Sequence, residues 1–161
     1  MQELIFELRR HPFFEDLAQD LFETVAACAT RQCFAANQMI YHEGDPADQF
    51  LLILKGKVAI EIFASPRGSL IIQTAGADDV LGWSWLFAPY RRRFDARALE
   101  ATEAIAISAD WLREKADSDY RLGYELHKRF SKIVVARLQA TRLQLIDFYG
   151  HSPIRQPGFV S

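Results

Sequence analysis

Two cysteines, Cys28 and Cys33, are the whole thiol complement of this 161-residue chain. That is too few for the disulfide framework of a small secreted domain, and no paired CxxC units with zinc spacing occur. An iron–sulfur cluster held by a full set of thiolates is excluded on the same count. Flanking Ala29-Thr-Arg-Gln32, the two cysteines read instead as small buried apolar residues. No uncharged apolar run approaches the ~20 residues that cross a bilayer. The opening Met-Gln-Glu-Leu-Ile-Phe carries an early acid and no basic stretch before a long apolar segment, so it does not read as a signal peptide. Charge bias is lacking too: 19 Lys and Arg against 21 Asp and Glu give a net charge of -2. That argues against the basic face that nucleic-acid binding needs. His11, His42, His127 and His151 are scattered, and no nucleophile, base and orienting group stand together. These absences predict a cytoplasmic protein, held reduced, that is not an enzyme and has no metal site.

What is present suits one domain with an appended helix, since 50% of residues are hydrophobic and 25% charged. Helical spacing marks residues 3–10 and 13–28, interrupted by Pro12. Residues 31–107 change period. Short apolar runs such as Phe50-Leu-Leu-Ile-Leu54, Val58–Phe63, Ser69–Thr74, Asp95–Leu99 and Ala104–Ile107 alternate with turn residues at Gly44-Asp-Pro46, Lys55-Gly-Lys57 and Ser65-Pro-Arg-Gly68. Lys55-Gly-Lys57 reads as a hairpin turn. The pattern predicts a mainly β fold, an antiparallel β-roll of jelly-roll type with short N-terminal helices and a long C-terminal helix. The expected divisions are N-terminal helices at 1–30, the roll at 31–110, C-terminal helices at 111–149 and a tail at 150–161. Over 119–148, His127, Phe130, Val134, Leu138, Thr141, Leu145 and Phe148 form a seam of heptad character, while Leu122, Leu126, Ile133 and Leu143 form a row that can face the roll.

Local motifs sharpen this. Ile40-Tyr-His-Glu-Gly-Asp45, followed by Phe50-Leu-Leu-Ile-Leu-Lys-Gly-Lys-Val58, resembles the opening of cyclic-nucleotide-binding domains, where an I-x-x-x-G-D turn leads to a glycine-turned strand pair. Val80-Leu-Gly-Trp-Ser-Trp-Leu-Phe87, then Arg91-Arg-Arg-Phe-Asp-Ala-Arg-Ala98, resembles the family's phosphate-binding cassette. The resemblance covers most of 12–148 and implies a regulatory sensor for cyclic AMP (cAMP), cyclic GMP (cGMP) or another small anion. It places Gly82, Trp83, Ser84, Trp85, Arg92 and Arg93 at the ligand. Gly82 would admit the ligand to backbone amides, and Arg92 would add a charge-assisted contact.

Two positions depart from the family. Trp83 stands where a carboxylate accepts the ribose hydroxyl, and an indole cannot accept in its place. Arg93 stands where the family has a small residue. For Trp83, ligand stacking and filling of the roll interior are both open; for Arg91–Arg93, an anion site and a solvated charge run. Family regulators continue past the long helix into a helix-turn-helix domain, for which the residues after 150 are too few, so direct DNA binding is not expected. A homodimer through Phe130, Val134, Leu138 and Leu145 is expected. The rival reading is a scaffold for dimerisation or protein interaction that keeps the fold without a ligand.

Overall fold

Turn residues cut the middle of the chain into short strands, and both ends fold as helices around them. The computed structural model describes residues 1–150. Its elements are α1 (Gln2–Arg10), a 3-10 turn at Pro12–Phe14, α2 (Gln19–Ala26), β1 (Ala29–Phe34), β2 (Met39–Tyr41), β3 (Gln49–Lys55), β4 (Lys57–Phe63), β5 (Ser69–Gly76), β6 (Val80–Leu81), a second 3-10 turn at Trp83–Leu86, β7 (Asp95–Ala98), β8 (Thr102–Ser108), α3 (Ala109–Ser118) and α4 (Tyr120–Gly150). The expected helix over 13–28 is divided because Asp16 takes a φ of 59°, which no α-helix contains. The tail expected at 150–161 lies, beyond Gly150, outside the described residues.

The strands form two four-stranded antiparallel sheets, β1-β8-β3-β6 and β2-β7-β4-β5, as the roll reading expects. Strand β3 reads as a continuous apolar run because both its faces are buried. Phe50 and Leu52 join the core beneath the helices, whereas Leu51 and Ile53 point between the sheets. In β8 the alternation has the same meaning: Ile105 and Ile107 face the helices, and Ala104 and Ala106 face the roll interior. Cys28 is half-buried, but Cys33 is exposed on the edge strand β1, so only the first fits the expected apolar role.

The turn at Gly56 is not a hairpin. Strands β3 and β4 belong to different sheets, and the chain crosses between them at Gly56, while β4 pairs with β5. At φ +106°, an added Cβ would lie 2.4 Å from Thr102 Oγ1 and 2.7 Å from the Ala101 carbonyl. Gly44, at φ +87°, has nothing within 4 Å of that position. Gly44→Ala therefore carries backbone strain alone, of order 1–3 kcal/mol. Gly56→Ala is expected to lose more in urea unfolding, because Thr102 must also move. Equal losses would contradict this close approach.

One stripe of α4 builds into the body. Leu122, Leu126 and Phe130 are buried, and Ile133 packs against the same core. Phe130, expected in a dimer seam, is 1% exposed and packs on Phe13, Phe50 and Trp85. Leu143, expected to face the roll, is 63% exposed. It precedes by one residue Gln144, which donates to the Ile72 carbonyl at 2.6 Å. One residue is about 100° of helix rotation, enough to turn Leu143 away.

Candidate functional site

The site forms where the Gly44 turn, the segment after β6 and α4 converge. Gly82 leaves β6 with φ 96° and ψ 63° and opens the turn Trp83–Leu86. A Cβ at Gly82 would meet Arg92 Nη1 at 2.5 Å, so this glycine makes room for the guanidinium. The Arg92 amide donates to the Asp45 carbonyl and its own carbonyl accepts from the Gly44 amide, each at 2.8 Å. The two motifs read separately in the sequence are thus hydrogen-bonded to each other, and the first positions the arginine of the second.

Arg92 is 4% exposed. Its Nη2 donates to the Gln49 carbonyl, and its guanidinium carbon lies 4.2 Å from the centre of the Tyr41 ring. Its Nε and Nη1 have no hydrogen-bond partner among the described residues. A second guanidinium arrives from α4. Arg137 donates through Nη1 to the Gln73 side-chain oxygen at 2.9 Å and through Nη2 to the Val80 carbonyl at 3.0 Å, leaving Nε without a partner. Burial pushes both arginines below their ordinary pKa, and Tyr41 partly offsets this in each. The Tyr41 phenol is raised by burial, with Arg92 and Arg137 pulling it down. Among the described residues neither arginine forms an ion pair with a carboxylate. The one buried carboxylate there, Glu61, is held by Arg97.

Gly82, Trp83, Ser84 and Arg93 line a cavity of about 10 Å³ with Tyr41 and Arg137. A larger space of about 210 Å³ lies between Trp83 and Phe94 on the roll side and Val134 and Leu138 of α4. Trp83 is half-buried, edge-on to Phe87 at 6.0 Å, with the exposed Arg93 guanidinium 5.8 Å from its ring centre. Trp85 does not join them. Its side chain is fully buried and stacked on Phe50 at 5.2 Å, so it presents core packing where a ligand contact was expected. Within one tight turn the two indoles go opposite ways. Arg91 is exposed, its guanidinium near the Gly44 carbonyl at 3.4 Å. Sequence reasoning missed Tyr41 and Arg137. A signal for the second existed, because Arg137 continues the row Leu126, Phe130, Ile133 at helical spacing.

Residues 31–119 match the family described as cyclic nucleotide-binding domain, and the chain belongs to that family. Cyclic nucleotide-gated ion channel 18 of Arabidopsis thaliana is 28% identical over 126 residues, covering 71% of this chain and 18% of the channel. The CRP-like cAMP-activated global transcriptional regulator of Mycobacterium tuberculosis is 26% identical over 115 residues, covering 71% of this chain and 49% of that protein. The chain thus spans less than half the length of these curated relatives. A cyclic nucleotide-binding domain from Methylobacillus flagellatus superposes with a TM-score of 0.76 at 20% identity, over 95% of this chain and 86% of that one, which shows a shared fold. No helix among the described residues is long and apolar enough to cross a membrane.

Arg92 is a buried cation with two nitrogens unpartnered among the described residues. Trp83 offers no acceptor, and Arg137 also lines a space of about 570 Å³ with Gln73, Val80 and Gln144.

Proposed function

We propose that this cyclic-nucleotide-binding-like regulatory domain senses a small anion between Gly82, Trp83, Ser84, Arg92 and Arg93 and signals through α4. The observation that carries the reading is the buried Arg92 guanidinium, with two nitrogens unpartnered among the described residues. Burying an unpaired charge costs several kcal/mol, which an arriving anion offsets. The four-residue turn after Gly82 is too short for a sizeable helix dipole, so the arginines supply most of the field. Helix α4 is poised to respond, because Arg137 and Gln144 tie it to β5 and β6 by hydrogen bonds that a ligand can exchange. A ligand shifts α4 only by its differential affinity for two positions of the helix.

Output goes to a second copy in this reading. With Phe130 in the core and Val134 partly buried beside Trp83 and Phe94, the exposed part of the seam is Leu138 and Leu145, which are 49% and 50% exposed and one heptad apart, flanked by Val135 and Tyr149. Sedimentation equilibrium is expected to show a dimer that Leu138→Lys dissociates; a monomer at high concentration removes this part. The scaffold reading is favoured by one observation, the near-filled cavity beside Trp83. Calorimetric titration with cAMP, cGMP and AMP separates the readings. Saturable binding of at least one of them, or of inorganic phosphate, abolished by Arg92→Ala is expected, and no binding by any of the four favours the scaffold.

A further inference from the structure

We infer that the ligand of this site carries two negative charges on one group, as a phosphate monoester does, and that Arg137 of α4 is the residue that reads the second charge. This rests on the reading of Arg92 as an anion-binding residue. The diester of a cyclic nucleotide bears a single charge. Here two guanidiniums stand near Tyr41, one fixed in the roll and one on the helix. Arg92 lies over the Tyr41 ring at 4.2 Å, and Arg137 lines the small inner cavity together with Tyr41. Arg137 donates only to neutral acceptors, the Gln73 amide oxygen and the Val80 carbonyl, and forms no direct ion pair among the described residues, although the Asp79 carboxylate partly offsets its charge. It also lines both the inner cavity and the 210 Å³ space beside α4, which puts it on the way in.

Arg137 lines three spaces, of about 10, 210 and 570 Å³. Of these only the smallest also includes Tyr41, Gly82 and Ser84, so the charged group read there is a compact one, whatever the rest of the ligand occupies. Trp83 in place of a carboxylate fits the same picture, since a carboxylate there would repel a dianion. Neutral Trp83 with Arg93 above its ring does not.

The test compares methyl phosphate, a dianion at pH 8, with dimethyl phosphate, a monoanion of similar shape. Both are titrated at constant ionic strength into wild-type, Arg137→Gln and Arg92→Met proteins and followed by amide NMR shifts. Methyl phosphate is expected to bind wild type about tenfold more tightly, in line with an added charge-assisted hydrogen bond. Its binding should fade as pH drops through about 6, where a phosphate monoester takes up its second proton. Arg137→Gln should weaken methyl phosphate more than dimethyl phosphate and so reduce the preference to near unity. A preference that survives Arg137→Gln, or equal binding of both probes to wild type, overturns the inference even where Arg92→Met abolishes binding and the anion reading stands. No shift at Gly82–Ser84 with either probe, in wild type and Arg92→Met alike, overturns both.

Discussion

Phe130→Ala is expected to lower the unfolding free energy by about 3–5 kcal/mol, the usual cost of emptying a buried phenylalanine site. Phe130 is the point at which α4 is riveted to the body. Its ring sits 5.1 Å from Phe13, 5.0 Å from Phe50 and 5.3 Å from Trp85, all edge-on or nearly so. Such pairs add about 0.5–1.5 kcal/mol each beyond simple burial. Phe13 belongs to the turn before α2, Phe50 to β3 and Trp85 to the cassette turn, so one side chain joins the helices, the sheet and the site. The consequence for the site is specific: loosening Phe130 frees Arg137 two turns later from its place above β6. Urea unfolding measures the loss, and hydrogen exchange over 134–150 should accelerate with it. A variant that unfolds like wild type yet dissociates a dimer would mean that Phe130 belongs to a seam between copies after all.

The second large effect is opposite in sign for stability and for binding. Arg92→Met is expected to leave the protein, without added anion, as stable as wild type or up to about 2 kcal/mol more stable. The guanidinium loses a hydrogen bond to the Gln49 carbonyl and its place over Tyr41, together worth about 2–5 kcal/mol. Against that stands a burial penalty of several kcal/mol for a charge with no ion-pair partner. With an anion at a hundred times its dissociation constant, wild type should gain about 2.7 kcal/mol, and Arg92→Met should gain nothing. The order of melting temperatures then reverses on adding the anion. If Arg92→Met is destabilised by more than about 3 kcal/mol under both conditions, the arginine is a structural keystone and the scaffold reading prevails.

Much of this was legible locally. Glycines that need positive φ, together with short apolar runs, marked the roll, and Gly44, Gly82 and Arg92 were readable from adjacent residues. What failed to show was decided by partners far along the chain. The segment around Gly56 looks like a hairpin because apolar runs flank it. Only the pairing of β3 with β8 and of β4 with β7 reveals a corner between sheets. Trp83 and Trp85 sit in one short turn, and nothing in their spacing says which ring enters the core. The stacking of Trp85 on Phe50 settles it. Heptad spacing placed Phe130 with Leu138, although the helix leaves the body between them, so one seam became a core residue and an exposed stripe. Arg137 was overlooked because α4 had been read for its apolar residues alone.

The departure at Trp83 therefore has company. Trp83 and Arg93, the two departures, line one small cavity together with Arg137. The most direct test observes the guanidinium groups themselves, through the Nε–H resonances of Arg92 and Arg137, assigned with the Arg92→Met and Arg137→Gln proteins. On titration with methyl phosphate at pH 8, both are expected to move along one saturable curve as their unpartnered nitrogens find an acceptor. An Arg92 resonance that stays still at saturating methyl phosphate and AMP alike would contradict the account.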